Sequence, residues 1–592
     1  MSRCFLWNAF ANLSMRFYAV LVFSILLVSA CSGATTPTST GKVANTQVVT
    51  NNPVTGTTEL PATGTPETAP NKAITISFVT GDPASLNPIY ATTWGEECVF
   101  DLIYLPLWNI DDQGKYQMEL AEEMPNVENG GLTPDGKTIT IKLRSDAFWS
   151  DRQPVTAQDA VFTYDMIMSD KNTVSSRYPF DTYIESMKAV NDKTLEVKLN
   201  SVWVDWPVSL FTGLTRVLPE HILQPVFDKD NTLDNAAFNR LPDVVNGPFT
   251  ITEFEPGSHI TFLANEKYWR GRPKLDKIFF RLSEDRAAQL AALASGQSDI
   301  GTYIIGSEFS EIKKINGMET TTSPNGLIQT LFLNVDPKTT HPALTDVNVR
   351  HAMILAIDRQ LIINRLFFGV YKVPVSFWNG TVYDNPDLKA QGFDPEQAKQ
   401  LLEKAGWVDS NGDGIREKNG QVLSLRYAYI SGDEITNTMV VTIQQMLADV
   451  GIKVELLPNT QEVLWAAYGD NGPLSRGEYD ITHWVDGMYY FPSPDTSYFL
   501  CAQRPTAESP DGYNWFGICN PQLEDLFSKQ SIEIDPQQRI DQFHQIAKIM
   551  YDETYIIPIR NDDDIYAINS RLQNIKFSGA DPFMFAYEWD IK

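Results

Sequence analysis

The sequence predicts a large mixed α/β protein of several lobes. Strand-like alternation and capped helices interleave along it, and no fixed repeat runs through it. Its 592 residues exceed what one hydrophobic core normally serves. With 43% hydrophobic and 11% aromatic residues it can bury real cores, which a disordered chain cannot.

The first strand is expected at Ile74-Thr75-Ile76-Ser77-Phe78, where apolar side chains alternate. Ile139, Ile141 and Leu143 share one face of a second strand. Leu195, Val197 and Leu199 repeat the pattern after the Asn191-Asp192 turn. Thr156 is placed to cap a helix with Asp159 at its third position, and Val161, Tyr164 and Met168 would share a face. Asp394-Pro395 opens another helix as cap and first-turn proline, with Gln397 third and Gly406 ending it. Asp535-Pro536 with Gln538 repeats that grammar near the C-terminus. In "RHAMILAIDRQLI" Ala352, Ala356 and Ile357 share a face, with Arg350 and Arg359 expected at charged edges.

The N-terminus reads as a targeting segment. Arg3 and Arg16 precede an apolar run from Phe17 to Val28, which ends in Val28-Ser29-Ala30-Cys31. A basic start, a short apolar stretch and small residues form a secretory signal, and the stretch is too short to span a bilayer. The tetrad resembles a bacterial lipobox, which implies lipidation at Cys31 and an extracytoplasmic protein anchored to the cell membrane, on its outer face or periplasmic side. Met15 is an alternative start that would leave a compact signal. The expected division is a signal over 1–30 and a tether over 31–71, rich in Thr, Pro, Gly and Asn. Such a coil reaches roughly 35 Å, from about 5–6 Å times the square root of its length.

The net charge of −27 argues against nucleic acid, since phosphate binding needs clustered Lys and Arg. Of five cysteines, Cys4 falls in the signal and Cys31 is the anchor. In an oxidising compartment the simplest pairing joins Cys501 to Cys519 and leaves Cys98 free and buried. Histidines 221, 259, 341, 351, 483 and 544 are scattered without ligand spacing, and no hydrolase elbow, zinc-protease pair or phosphate loop is present. Neither catalysis nor a cofactor is expected.

Five separated stretches carry a family resemblance when read in order. They are "LAEEMP…GLTPDGKTITIKLRSDAFWSDRQPVTAQDAVFTYDMI" from Leu120, "NGPFTITEFEPGSHITFLANEKYWRGRPKLDKIFFRL" from Asn246, and "FLNVD…LTDVNVRHAMILAIDRQLI" from Phe332. "FDPEQAKQLLEKAGWVDSNGDGIREKNG" follows from Phe393, and "YNWFGICNPQLEDLFSKQSIEIDPQQRI" runs on to "IIPIR" at Arg560. Together they resemble the extracellular solute-binding proteins of family 5, the oligopeptide- and dipeptide-binding class. Turns and caps explain most of these residues without any ligand. One departure is Asp151-Arg152, where the family has Asp-Gly, so this turn must avoid a positive φ or accept one at Arg152.

The resemblance implies a two-lobed, periplasmic-binding-protein-like clamshell with an additional domain. Lobe I would comprise 72–107, 242–331 and 555–592, the extra domain 108–241, and lobe II 332–554. It implies a monomer that holds a peptide or other extended solute and passes it to ABC importer permease subunits. An oligosaccharide, opine or metal chelate is the alternative ligand, and a surface hydrolase or sensor a more distant one. Peptide recognition calls for aromatic pockets and a carboxylate for the ligand ammonium. "THWVDGMYYFPSPDTSYF" supplies Trp484, Asp486, Tyr489, Tyr490 and Asp495. Asp486 is the first candidate for the ammonium and Asp495 the second. Tyr90 and Trp94 are candidates on the hinge side, with Trp378 and Trp465 after them.

"DSNGDGIRE" imitates a calcium loop through Asp409, Asn411, Asp413 and Glu417, but Gly420 stands where the bidentate glutamate belongs. A tight turn is the expected reading.

Overall fold

A computed structural model of the chain describes residues 72–111, 114–487, 498–579 and 581–592. The signal, Cys31 and the tether lie outside the described residues, as do Tyr489, Tyr490 and Asp495. Among the described residues no helix is long and apolar enough to cross a membrane.

Residues 72–592 form one compact unit built on two main sheets. The seven-stranded sheet runs, edge to edge, through Met318–Ser323, Asp564–Asn569, Ile300–Gly301, Ala73–Phe78, Lys277–Leu282, His259–Ala264 and Phe249–Glu255. Ala73–Phe78 lies at its centre, parallel to both neighbours. Ile74, Ile76 and Phe78 are buried, as the alternation predicts. The five-stranded sheet runs through Lys453–Asn459, Ser424–Ile430, Ile481–Gly487, Leu327–Leu333 and Ile556–Asn561. A three-stranded antiparallel sheet pairs Thr138–Lys142 and Ile184–Asn191 with the central Thr194–Leu199. Its buried Ile139, Ile141, Leu195 and Val197 belong to the same continuous core as the seven-stranded sheet.

Two connections carry the chain between the main sheets. Pro324–Gly326 links Met318–Ser323 to Leu327–Leu333, and Asp562–Asp563 links Ile556–Asn561 to Asp564–Asn569. They lie side by side. Asn325 Nδ2 donates to the Asp562 carbonyl at 2.9 Å and to Asp564 Oδ1 at 3.3 Å, and the Asp562 N–H donates to the Leu327 carbonyl at 2.8 Å. The boundaries drawn from sequence gave 327–331 and 556–561 to lobe I, whereas both segments pair within the five-stranded sheet. Alternation identifies a strand but not its partner, so these crossovers had no signal in the sequence.

The helix caps stand where the sequence puts them. Thr156 and Asp159 form a capping box, and the Asp394 and Asp535 carboxylates accept from the Gln397 and Gln538 amides. On Ala157–Met168, Val161, Tyr164 and Met168 are half-buried and pack against the core beside the fully buried Ala160, Thr163, Met166 and Ile167. Two other expectations change. The stretch 347–366 is two helices, Val347–Ala356 and Arg359–Leu366, the second capped by Asp358. Arg350 and Arg359 are buried rather than marginal. Arg350 donates to the Leu344 and Glu553 carbonyls and to the Glu553 carboxylate, and Arg359 donates to the carbonyls of Pro558 and Gln391.

Two family-like turns explain themselves. Gly247 packs so close to the end of helix Trp94–Ile103 that a Cβ there would sit 2.5 Å from the Ile103 carbonyl carbon. The adjacent Asn246 accepts from the Leu105 N–H at 2.8 Å. At the departure from the family pattern, Arg152 takes a φ of 79°, so the turn keeps its glycine-like geometry without the glycine.

Candidate functional site

The strand Ile481–Gly487 alternates two environments. His483 points to one face and is buried, its Nδ1 2.8 Å from the Tyr427 hydroxyl; burial lowers its pKa to about 4. Trp484 and Asp486 share the other strand register with Thr482, opposite Thr330, Ile328 and Phe332. The Trp484 ring stacks on Phe332 with centroids 4.1 Å apart and lies 5.5 Å from Phe516. Two half-buried tryptophans meet it edge-on: Trp465 at 4.9 Å and Trp515 at 6.2 Å, and these are 5.3 Å from each other. The result is a three-tryptophan platform backed by buried phenylalanines.

Asp486 closes one side of this platform. It is 4% exposed and accepts from Trp484 Nε1 at 3.1 Å and from the Gly487 N–H at 2.8 Å. Gly487 abuts the first crossover, and a Cβ on it would stand 2.2 Å from the Gly326 carbonyl oxygen. The strand that carries the candidate carboxylate therefore ends directly against a connection between the two sheets.

Trp515 is held by a braced loop. Cys501 and Cys519 are joined by a disulfide, with Cα atoms 4.7 Å apart, and Cys98 is free and buried. Asn514 donates to the Leu500 carbonyl at 2.8 Å and the Ile518 carbonyl at 2.6 Å, tying the loop across its base. Trp515 and Phe516 entered the sequence reading only as part of a family stretch. The cysteine pair was the signal that could have drawn attention to the segment between them. Trp378 is a core residue at 1% exposure, packed on Phe499 and Phe543.

The second group of candidates sits near the seven-stranded sheet. Tyr90 donates to Asp234 Oδ1 at 2.8 Å, and Asp234 also accepts from the Thr173 N–H and hydroxyl. Burial and this carboxylate push the Tyr90 pKa well up, so Tyr90 acts as a tie to the 173–234 region. Trp94 opens the helix Trp94–Ile103 and meets Tyr303 edge-on at 4.7 Å. Tyr303 has a left-handed φ of 54°, and its hydroxyl is 3.7 Å from Cys98 Sγ.

Behind Trp94 lies a charge cluster that no sequence spacing announces. Arg216 is fully buried; its Nη2 is 3.4 Å from Asp101 Oδ1 and 3.3 Å from Asp581 Oδ1, and Nη1 donates to the Gly213 carbonyl. Asp101 also accepts from the Phe583 N–H at 3.1 Å. Burial raises the pKa of both aspartates, and Arg216 opposes that shift.

The loop that imitates a calcium site brings one ligand atom each of Asp409, Asp413 and Glu417 within 4.8 Å of one another. Its own backbone already serves all three acids: Asp409 accepts from the N–H groups of Gly412 and Gly414, Asp413 from that of Ile415, and Glu417 from that of Ser410. Asn411 turns its amide nitrogen toward Asp413 and Glu417, at 3.1 and 2.8 Å. With Gly412 and Gly414 at positive φ, the loop is a self-capped turn leading into the hairpin Glu417–Lys418/Gln421–Val422.

Residues 115–508 match the pattern of bacterial extracellular solute-binding proteins, family 5 Middle. The chain belongs to this family. It is 25% identical over 547 residues to an oligopeptide-binding protein, AppA, of Bacillus subtilis, covering 92% of each chain. It is 24% identical over 511 residues to a nickel-binding periplasmic protein of Escherichia coli, covering 85% of this chain and 92% of the relative. Among solved structures, HbpA2 from Haemophilus parasuis superposes with a TM-score of 0.72 at 20% identity, over 88% of this chain and 99% of that one. The Bacillus subtilis AppA complex with a nonapeptide gives 0.60 at 21% identity, over 88% and 100%. These likenesses give the fold: the two-lobed solute-binding architecture that the resemblance implies.

Proposed function

We propose that the protein captures an oligopeptide or peptide-like solute between two lobes and delivers it to the permease of an ABC importer, without chemical turnover. The observation that carries this reading is the match to an oligopeptide-binding protein along 92% of both chains. The three-tryptophan platform with Asp486 beside it supports it, because an extended peptide needs apolar pockets and a carboxylate for its ammonium group. Lobe I is then built on the seven-stranded sheet and lobe II on the five-stranded one, with the Asn325-bridged crossovers as the hinge. The 108–241 segment is the additional domain. Cys31 carries the lipid, and the 31–71 segment tethers a monomeric body to the membrane. A metal chelate is the second reading, favoured by the match to a nickel-binding relative.

Ligand-stabilised closure is the mechanism, a population shift that works only if the ligand touches both lobes. Small-angle scattering of the purified protein should report compaction on adding a mixed peptide pool. An unchanged radius of gyration at saturating peptide would count against the reading.

A further inference from the structure

The helix Trp94–Ile103 carries two adjacent glutamates with opposite fates. Glu96 is fully buried and accepts five hydrogen bonds: from the N–H groups of Ala84, Ser85, Thr92 and Thr93, and from the Thr93 hydroxyl. It is a structural brace. Glu97 is half-buried, and it accepts no hydrogen bond and forms no ion pair with any described residue. Its Oε1 faces Gly213, where an added Cβ would come within 3.2 Å.

The surroundings of Glu97 suit a positive guest. Trp94 lies one turn earlier on the same helix face, and Tyr303 meets Trp94 edge-on at 4.7 Å; both rings are half-buried. Aromatic faces beside a carboxylate are the combination that holds ammonium and guanidinium groups. Behind them one guanidinium, Arg216, is shared by two carboxylates, Asp101 and Asp581, and forms no ion pair with Glu97. One acceptor here, Oγ1 of Thr212 next to Gly213, is buried without a hydrogen-bond partner among the described residues and can accept from an ammonium N–H. The Nε–H of Arg216, also unpaired, is a donor and cannot.

We propose that Glu97, flanked by Trp94 and Tyr303, is a subsite for a cationic group of the captured solute. This rests on the solute-binding reading above and adds to it the charge of the ligand. It is a second carboxylate contact, separate from the platform at Asp486. Burial first, and then Asp581, raise the Glu97 pKa to about 8, against the pull of Arg216. Near neutral pH, seating a cation therefore displaces a proton. The groups that act on Glu97 in that exchange are Asp101 and Cys98 on its own helix, Arg216 and Asp581; Asp564 and Tyr303 face the adjacent Cys98.

Calorimetry on the purified full chain tests this with the peptide Ala-Ala-Lys-Ala-Ala in four forms: free, acetylated at the terminus, acetylated at the lysine, and acetylated at both. The wild type should bind the cationic forms about tenfold or more tighter than the doubly acetylated one. The single acetylation whose effect is lost in Glu97→Gln tells whether the terminus or the side chain occupies this subsite. Glu97→Gln should erase the preference for that one cation and the proton release at pH 7, while retaining the preference that Asp486 gives the other and the affinity for the doubly acetylated form. Trp94→Leu should reduce the preference several-fold, giving an arm that leaves the carboxylate in place. Undiminished preference for both cations in Glu97→Gln, or a wild type without any preference, overturns the proposal. If no peptide binds, cadaverine is titrated against tryptophan fluorescence. Binding that Glu97→Gln abolishes would keep the cation subsite and discard the peptide reading; no binding would discard both.

Discussion

The tryptophan platform and the Glu97 pocket are built in opposite ways. The platform is largely local: Trp484 and Asp486 are neighbours on one strand, and Trp515 lies in a loop closed by a disulfide. The Glu97 pocket draws on residues 94, 97, 213, 216, 303 and 581, which only the tertiary fold brings together. One is stiffened by stacking and the other by a buried arginine between two aspartates. The Trp484–Asp486 pair survives in a linear reading of the chain; the contacts of Phe332 and Trp515 with it, and those around Glu97, do not.

Four experiments press on this contrast. The largest effect is expected in the pocket. Arg216→Ala leaves Asp101 and Asp581 buried without their cation and should cost about 3–5 kcal/mol in denaturant unfolding. A loss below about 1 kcal/mol would mean that the arginine does not organise this region.

Next comes the underside of the platform strand. The His483 pKa of about 4 lies below the ordinary 6.5, so the folded state binds fewer protons than the unfolded one between those values. Its contribution is complete above pH 6.5 and lost as pH falls toward 4, worth about 3 kcal/mol. Unfolding curves across that window should show this loss in the wild type but not in His483→Asn.

A smaller effect is expected at the platform surface. Trp484→Phe keeps the stack on Phe332 but removes the Nε1 hydrogen bond to Asp486. Stability should fall by about 1–2 kcal/mol, with peptide affinity falling alongside it. Equal affinity for both proteins would take Trp484 out of the site.

The smallest effect is expected at the crossover between the sheets. Burial, and then the neighbouring Asp564 and Asp562, raise the Asp563 pKa to about 6. An acid held above its unfolded value destabilises once pH rises past it. Fully desolvated, the shift from 3.8 to about 6 would be worth about 3 kcal/mol; Asp563 is only part-buried, so solvent screening reduces it, and Asp563→Asn should stabilise by about 1 kcal/mol at pH 8 and have little effect at pH 4, read as a shift in melting temperature.

The same contrast governs what the sequence disclosed. Caps at Thr156, Asp394 and Asp535 were legible because capping is set within four residues. The Cys501–Cys519 bridge was legible because few cysteines remained to pair. The family came through because its turns and caps are short motifs in a fixed order. Burial of Arg350 and Arg359 was hidden, since their acceptors are mostly carbonyls remote in sequence, Glu553, Pro558 and Gln391 among them. Strand pairing was hidden for the same reason: the partners of Leu327–Leu333 and Ile556–Asn561 are long-range choices. Glu97 was passed over because it looks like Glu96 until their partners are compared.

The central claim is that this protein holds a peptide-like solute. A native mass spectrum of the chain purified without denaturation tests it most directly. Excess mass that is released by organic solvent and fragments as a peptide series is the result predicted here. Excess mass that instead resolves as a metal chelate or a saccharide would contradict the peptide assignment.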